Sequence, residues 1–133
     1  MLNSEVQVNK ALFPKGFRRD FDAHVYYDAN SRQLAEAFRN QALTHFQGQP
    51  VFVGALIDKN VGPHPTPMFE INFPIERFGD VVFWLLQNRN GLTTLVHQVT
   101  GDDPKDHSQG AIWMGTPLKL DESKLDPSPS FTN

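Results

Sequence analysis

Five histidines and no cysteine set the range of chemistry open to this 133-residue chain. Three of the five sit in distinctive settings: Ala23-His24-Val25-Tyr26, Gly62-Pro63-His64-Pro65 and Val96-His97-Gln98. Without thiols there is no disulfide, thiolate metal site or cysteine nucleophile, so any metal must be taken by imidazoles and carboxylates. Two imidazoles with one carboxylate form the three-ligand set of non-heme Fe(II) oxygenases, which leaves positions open for substrate and dioxygen. Other catalytic patterns are missing. Gly101 and Gly115 are lone glycines and make no phosphate loop, and no serine sits in a nucleophile elbow. Asp102, Asp103, Asp106 and Asp121 lack the spacing of a calcium loop and read as polar surface.

Positioning these residues is the task of a short series of elements. Residues 21–27 (FDAHVYY) are aromatic and β-branched and predict a first strand. A helix follows, with Asn30 as cap and Leu34, Phe38, Ala42 and Phe46 at helical spacing, stopped by Gly48. Pro50 introduces residues 51–57 (VFVGALI), a short apolar run that predicts a strand. Residues 59–67 hold three prolines and a glycine and predict a loop carrying His64. Residues 68–73 alternate as a strand. Pro74 then opens a second helix, with Phe78, Val82, Leu85 and Leu86 inward and Gly91 beyond its end. Residues 93–99 predict a further strand, residues 100–109 a polar loop, and residues 111–114 one more short strand. The order β-α-β-β-α-β is the ferredoxin-like α+β arrangement: an antiparallel sheet of order 4-1-3-2 with two helices on one face and the other face bare. The competing architecture is an α+β meander in which the last apolar stretch joins the sheet.

Side chains alternate along a strand, so parity sorts the candidates by face. Ala23 and Val25 belong under the helices, which sends Asp22, His24 and Tyr26 to the open face. Phe69, Ile71 and Phe73 likewise send Glu70 and Asn72 there. With Val96 on the helix side, His24, Glu70 and His97 converge. His64 can supply a ligand in place of Glu70, and His107 can reach the same rim. Tyr26 and Trp113 can wall an aromatic substrate. Each residue also has a plainer role: a strand histidine as a hydrogen-bonding group, Glu70 as a solvated carboxylate, the Pro-flanked loop as a stiff turn. His45 fits the negative end of the first helix dipole.

The remaining composition narrows the partners. A net charge of −3 provides no basic face for nucleic acid or anionic lipid. No apolar run approaches the roughly 18 residues needed to span a bilayer, and residues 1–10 lack a signal pattern. The expectation is a cytoplasmic protein with an N-terminal arm (1–16), one domain (17–125) and a flexible tail (126–133).

The chain resembles the DOPA 4,5-dioxygenase family. The matching blocks are His24-Val25-Tyr26-Tyr27-Asp28, Gly62-Pro63-His64-Pro65 with Met68-Phe69-Glu70-Ile71, Asn88-Arg89-Asn90-Gly91-Leu92 and Leu95-Val96-His97, continuing through Asp106-His107 and Trp113-Met114-Gly115. The resemblance implies a ferredoxin-like fold, a homodimer, and extradiol cleavage of a catechol by dioxygen at non-heme Fe(II), with zinc as an alternative occupant in purified protein. Fungal members carry His-Pro-His-Thr-Gly or a near variant on the fourth strand. Here Leu95-Val96-His97-Gln98-Val99-Thr100-Gly101 keeps one histidine, and some relatives lack the acid at Glu70. The ligand set it favours is therefore His24, His64 and His97, with Glu70 as alternative or supporting partner. His107, with an ordinary pKa near ~6.5, is the candidate catalytic acid/base. Two other readings use the same residues: a metal- or small-molecule-binding dimeric protein without dioxygenase turnover, and an interaction domain whose open face is an interface. Metal analysis with oxygen uptake separates the first from the enzyme. Metal content unchanged in a His24 and His97 double glutamine variant would indicate the second.

Overall fold

The computed structural model describes residues 13–126. The expected tail, save Asp126, and all but the last residues of the expected arm lie outside them. Five strands form one antiparallel sheet: β1 (Phe21–Tyr26), β2 (Phe52–Val53), β3 (Met68–Phe73), β4 (Thr94–Gln98) and β5 (Ala111–Met114). Their order is β2-β3-β1-β4-β5. This is the ferredoxin-like 4-1-3-2 order with the last apolar stretch added at the β4 edge, so the α+β expectation holds and the fifth strand joins it. Two helices, α1 (Arg32–His45) and α2 (Phe78–Asn88), cover one face, and a short α3 (Asp103–Asp106) lies within the segment read as a plain polar loop. No helix among the described residues is long and apolar enough to cross a membrane.

The parity read from sequence matches the packing. Ala23, Val25, Phe69, Ile71, Phe73 and Val96 form the core with Ala35, Phe38 and Ala42 of α1 and Val81, Trp84 and Leu85 of α2. The centre of that layer is an aromatic stack, Phe38 on Trp84 with centroids 4.9 Å apart and planes 9° from parallel. Two helix faces are rotated from expectation. Leu34 is 38% exposed and Leu86 58% exposed, while Ala35, Val81 and Trp84 are buried. Each i,i+4 step overshoots a full turn by about 40°, so a run of such steps drifts, and Leu34 lands at the margin of the stripe set by Ala35, Phe38 and Ala42. Leu86 follows the buried Leu85 by one position, about 100° around the helix. The start of α1 is organised by Asp28 rather than Asn30: its Oδ1 accepts from the N–H of Asn30 at 2.9 Å and of Ser31 at 3.0 Å.

The second strand is shorter than the apolar run 51–57. Phe52 pairs with Asn72 and Val53 with Ile71, yet Ile57 pairs with Met68. One side therefore carries an extra residue between the two registers. This is a bulge next to the buried Gly54, whose N–H still reaches the Glu70 carbonyl at 2.8 Å.

The sheet face away from the helices is not bare. Tyr26, Met68 and Leu95 pack there with Ile57, Ala111, Trp113, Leu118 and Leu120. The chain after β5 crosses this face and is tied to the His64 loop by the Asp121 N–H donating to the Pro63 carbonyl at 2.8 Å. The interior layer under this strap is where the polar residues collect.

Candidate metal centre

Strand β1 lies between β3 and β4, and this fixes which side chains meet. Asp22 is directly opposite His97 on β4, and His24 is opposite Glu70 on β3. With period-two alternation, Asp22, His24 and His97 rise from one face of two paired strands. The loop between β2 and β3 brings in His64, and the residue closing α3 is His107. The rings converge: His24 and His64 are 4.1 Å apart between centroids, His24 and His97 5.0 Å, His97 and His107 4.1 Å. Asp22, His24, His64 and His97 are each at most 4% exposed.

Hydrogen bonds orient these rings. His97 Nδ1 lies 2.6 Å from the Gln98 carbonyl and His107 Nδ1 2.8 Å from the Asp103 carbonyl. A carbonyl only accepts, so both Nδ1 atoms donate and each Nε2 keeps its lone pair. His24 Nε2 is 2.9 Å from His97 Nε2. His64 Nδ1 meets the Tyr26 hydroxyl at 2.8 Å. The His107 segment is anchored by Asp106, which is buried and accepts from the Thr100 N–H and hydroxyl at 2.7 Å each. It is not the surface carboxylate its neighbours suggested.

The environment keeps these imidazoles neutral. Burial is the main cause at all four. It lowers His64 to about 4 against a small upward pull from Asp22. Burial and the nearby His107 lower His97 to about 3. His24 is driven well below its ordinary value by burial and by His64, His97 and His107, and His107 is lowered too. For Asp22, burial raises the pKa, but the Arg19 guanidinium together with His97 and the Asn72 amide outweighs it and the net shift is downward. Arg19 forks onto both Asp22 oxygens, with Nε to Oδ1 at 2.7 Å. The Asn72 amide also donates to Asp22 at 2.7 Å.

Neutral imidazoles with lone pairs beside an ionised carboxylate are the donor set of a divalent transition metal, and the residues present fit one. Among the described residues, two overlapping groups have all their ligand atoms within 4.8 Å of one another: His24, His64 and His107; and Asp22, His24 and His97. His24 is common to both. The three histidines expected as ligands are thus divided between the groups, and His107, expected at the rim as a proton handler, stands with His24 and His64. Glu70 is in neither. Its Oε1 accepts from Asn72 at 2.7 Å and lies 3.6 Å from Arg19. Asp22 was not singled out as a ligand from sequence, although its i,i+2 spacing to His24 carried the signal. His45 is exposed at the end of α1 and stacks on Trp84 at 5.3 Å, apart from the cluster.

Among the described residues, clefts border the cluster on two sides. One of about 470 Å³ is lined by His107, Trp113, Leu118, Leu120 and Leu125. The other, about 980 Å³, is lined by His64, Val61, Asp121, Lys124 and Leu125. Tyr26 stacks on Trp113 with centroids 6.0 Å apart and planes 20° from parallel. The two expected substrate-wall residues therefore stand together, Trp113 at the smaller cleft.

Known proteins share this arrangement of sequence and fold. Residues 21–124 match the model of the Dopa 4,5-dioxygenase family. An uncharacterised 21.2 kDa protein of Botryotinia fuckeliana is 33% identical over 92% of this chain and 76% of its own length. A DOPA 4,5-dioxygenase of Amanita muscaria is 30% identical over 80% of this chain, which spans 50% of that enzyme's length. The crystal structure of a candidate dioxygenase from Nostoc punctiforme superposes with a TM-score of 0.72 at 41% identity, covering 79% of this chain and 89% of that one. The matched span runs from the first residue of β1 to the strap over the site and takes in every member of the cluster, so this chain belongs to the Dopa 4,5-dioxygenase family.

Proposed function

We propose that this protein is an extradiol-type dioxygenase that opens the ring of a catechol using Fe(II) held in the histidine cluster. The observation that carries the reading is the convergence of four neutral imidazoles, three of them buried and His107 half-buried, and Asp22 beside a cleft walled by Trp113, in a chain of a dioxygenase family. His24 and His97 would hold the ion together with a third donor of the same cluster, and Glu70 stands beside them, joined to Asp22 through the Asn72 amide. When bound, a divalent iron lowers the pKa of the catechol hydroxyls and brings the diol and dioxygen together. Zinc would fill the same donors without redox activity.

The chain's own groups do the remainder. Trp113, backed by Tyr26, offers a flat apolar wall for the ring. His107 has a pKa below its ordinary value, so it is a neutral base at pH 7 and can take a hydroxyl proton on Nε2 as the catechol enters. The strap from Gly115 to Leu125 limits water over the reacting ring. The reaction is self-balanced: both atoms of dioxygen enter the product, the ring C–C bond beside the diol breaks, and no external reductant is consumed.

The test is anaerobic loading with Fe(II), then addition of a catechol panel that includes DOPA, then oxygen. One oxygen consumed per catechol, with a yellow ring-opened product, is expected. No uptake across the panel overturns the proposal. The assembly we propose is a homodimer, checked by sedimentation equilibrium as a species of twice the chain mass.

A further inference from the structure

We infer that the ion's seat within the cluster is formed by Asp22, His24 and His97, and that His64 and His107 face its open side. The inference rests on the proposed metal site but selects among its donors, and it brings in a carboxylate that neither the expected ligand set nor Glu70 supplies.

Three observations favour the strand-borne group of Asp22, His24 and His97. The first is rigidity. Asp22, His24 and His97 all stand on paired strands, with Asp22 and His97 directly opposite each other. The other group has one strand residue and two from connecting segments, His64 and His107. Ligands on regular elements are held to finer tolerance than ligands on loops. The second is spacing. His24 Nε2 to His97 Nε2 is 2.9 Å, His97 Nε2 to Asp22 Oδ2 is 3.7 Å, and His24 Nε2 to Asp22 Oδ2 is 3.9 Å. Two atoms each ~2.1 Å from one ion lie about 3.0 Å apart at a right angle and about 3.4 Å apart at a tetrahedral angle. The set already has one such edge, and closure of the others by a few tenths of an ångström completes it.

The third is support from surrounding groups. Metal ligands are characteristically held by hydrogen bonds to their distal atoms, which fix tautomer and orientation. His97 has that support from the Gln98 carbonyl, as His107 has from the Asp103 carbonyl. Asp22 has it from the Arg19 fork and from Asn72. The His24 ring packs against His64, with centroids 4.1 Å apart, and His97, with centroids 5.0 Å apart. Both remaining histidines border clefts, His64 the larger and His107 the smaller. That is where groups meeting an incoming diol must be. A carboxylate ligand also offsets one of the ion's two charges in a buried site, which three neutral imidazoles do not.

The experiment compares Co(II) and Zn(II) binding by the wild-type protein and by Asp22→Asn, His97→Gln, His64→Gln and His107→Gln, each checked for folding by circular dichroism. Titration gives affinity and stoichiometry without reference to turnover. Asp22→Asn and His97→Gln are expected to weaken binding at least tenfold, while His64→Gln and His107→Gln stay within about threefold of wild type. The reverse pattern, with tight binding by Asp22→Asn and loss in His64→Gln and His107→Gln, overturns the assignment. Should Asp22→Asn fail to fold, X-ray absorption on zinc-loaded wild-type protein decides: two imidazoles with a carboxylate oxygen support the seat, and three imidazoles overturn it. Failure of the seat leaves oxygen uptake intact; failure of the enzymatic reading leaves metal binding intact.

Discussion

Trp113 and Asp106 are single residues whose roles can be isolated. Trp113 lines the smaller cleft, whereas Trp84 is packed between the helices. In a Trp84→Phe background the remaining indole therefore reports on the cleft. Anaerobic addition of a catechol to that variant is expected to quench its emission saturably; emission indifferent to catechol would place the ring elsewhere. Asp106 secures the His107 segment through two bonds from Thr100. Asp106→Ala removes a buried acceptor and leaves the Thr100 donors unpaired, at an expected cost of about 1–3 kcal/mol in urea unfolding. At this scale the sequence was partly legible. His24, His64, His97 and His107 could be nominated because a histidine beside a strand or a stiff turn is conspicuous. Asp22 was hidden, since one aspartate two positions before a histidine resembles any solvated carboxylate until strand pairing sets it against His97.

Between elements, the connection that carries His64 is fastened at its start by a small polar clamp. Asp58 accepts from Tyr27 at the end of β1 at 2.5 Å, and from Nε and Nη2 of Arg32 on α1 at 2.9 Å each. Its carboxyl is lowered to about 2 by those hydrogen bonds, the Arg32 bond first. Because the pair is exposed, Asp58→Ala is expected to change global stability by no more than about 1 kcal/mol. It should still speed proteolysis within residues 59–66 severalfold. Equal cleavage rates would argue that the prolines alone hold the loop. The helix layer behaves oppositely: Trp84→Ala is expected to cost about 3–5 kcal/mol through the lost Phe38 stack and the cavity left behind. Element order and strand parity were readable because apolar periodicity encodes them directly. The β2 bulge, the fifth strand's place and the strap were not, because they depend on tertiary pairing that no local pattern records.

For the whole molecule, the neutral histidine cluster links stability to pH. The four imidazoles titrate below their ordinary ~6.5, His64 at about 4 and His97 at about 3. Between those values and ~6.5 the unfolded chain binds more protons than the folded one, so the stability of metal-free protein rises with pH through this window and falls on acidification. Each such group contributes up to about 1.4 kcal/mol per pH unit. Asp22, whose pKa is also lowered, acts in the same direction at still lower pH. Urea midpoints of metal-free protein should drop steadily from pH 7 to pH 4.5, and a flat profile would contradict the neutral cluster. Bound metal should flatten the upper part of the profile, since ligation competes with protonation.

Leu125 lines both clefts and is 9% exposed. The wall between the two approaches is thus, at that point, one aliphatic side chain thick. Shortening it is expected to join the two clefts without touching a polar atom of the cluster. Access of bulky ligands to the cluster is therefore adjustable independently of the imidazoles and of Asp22.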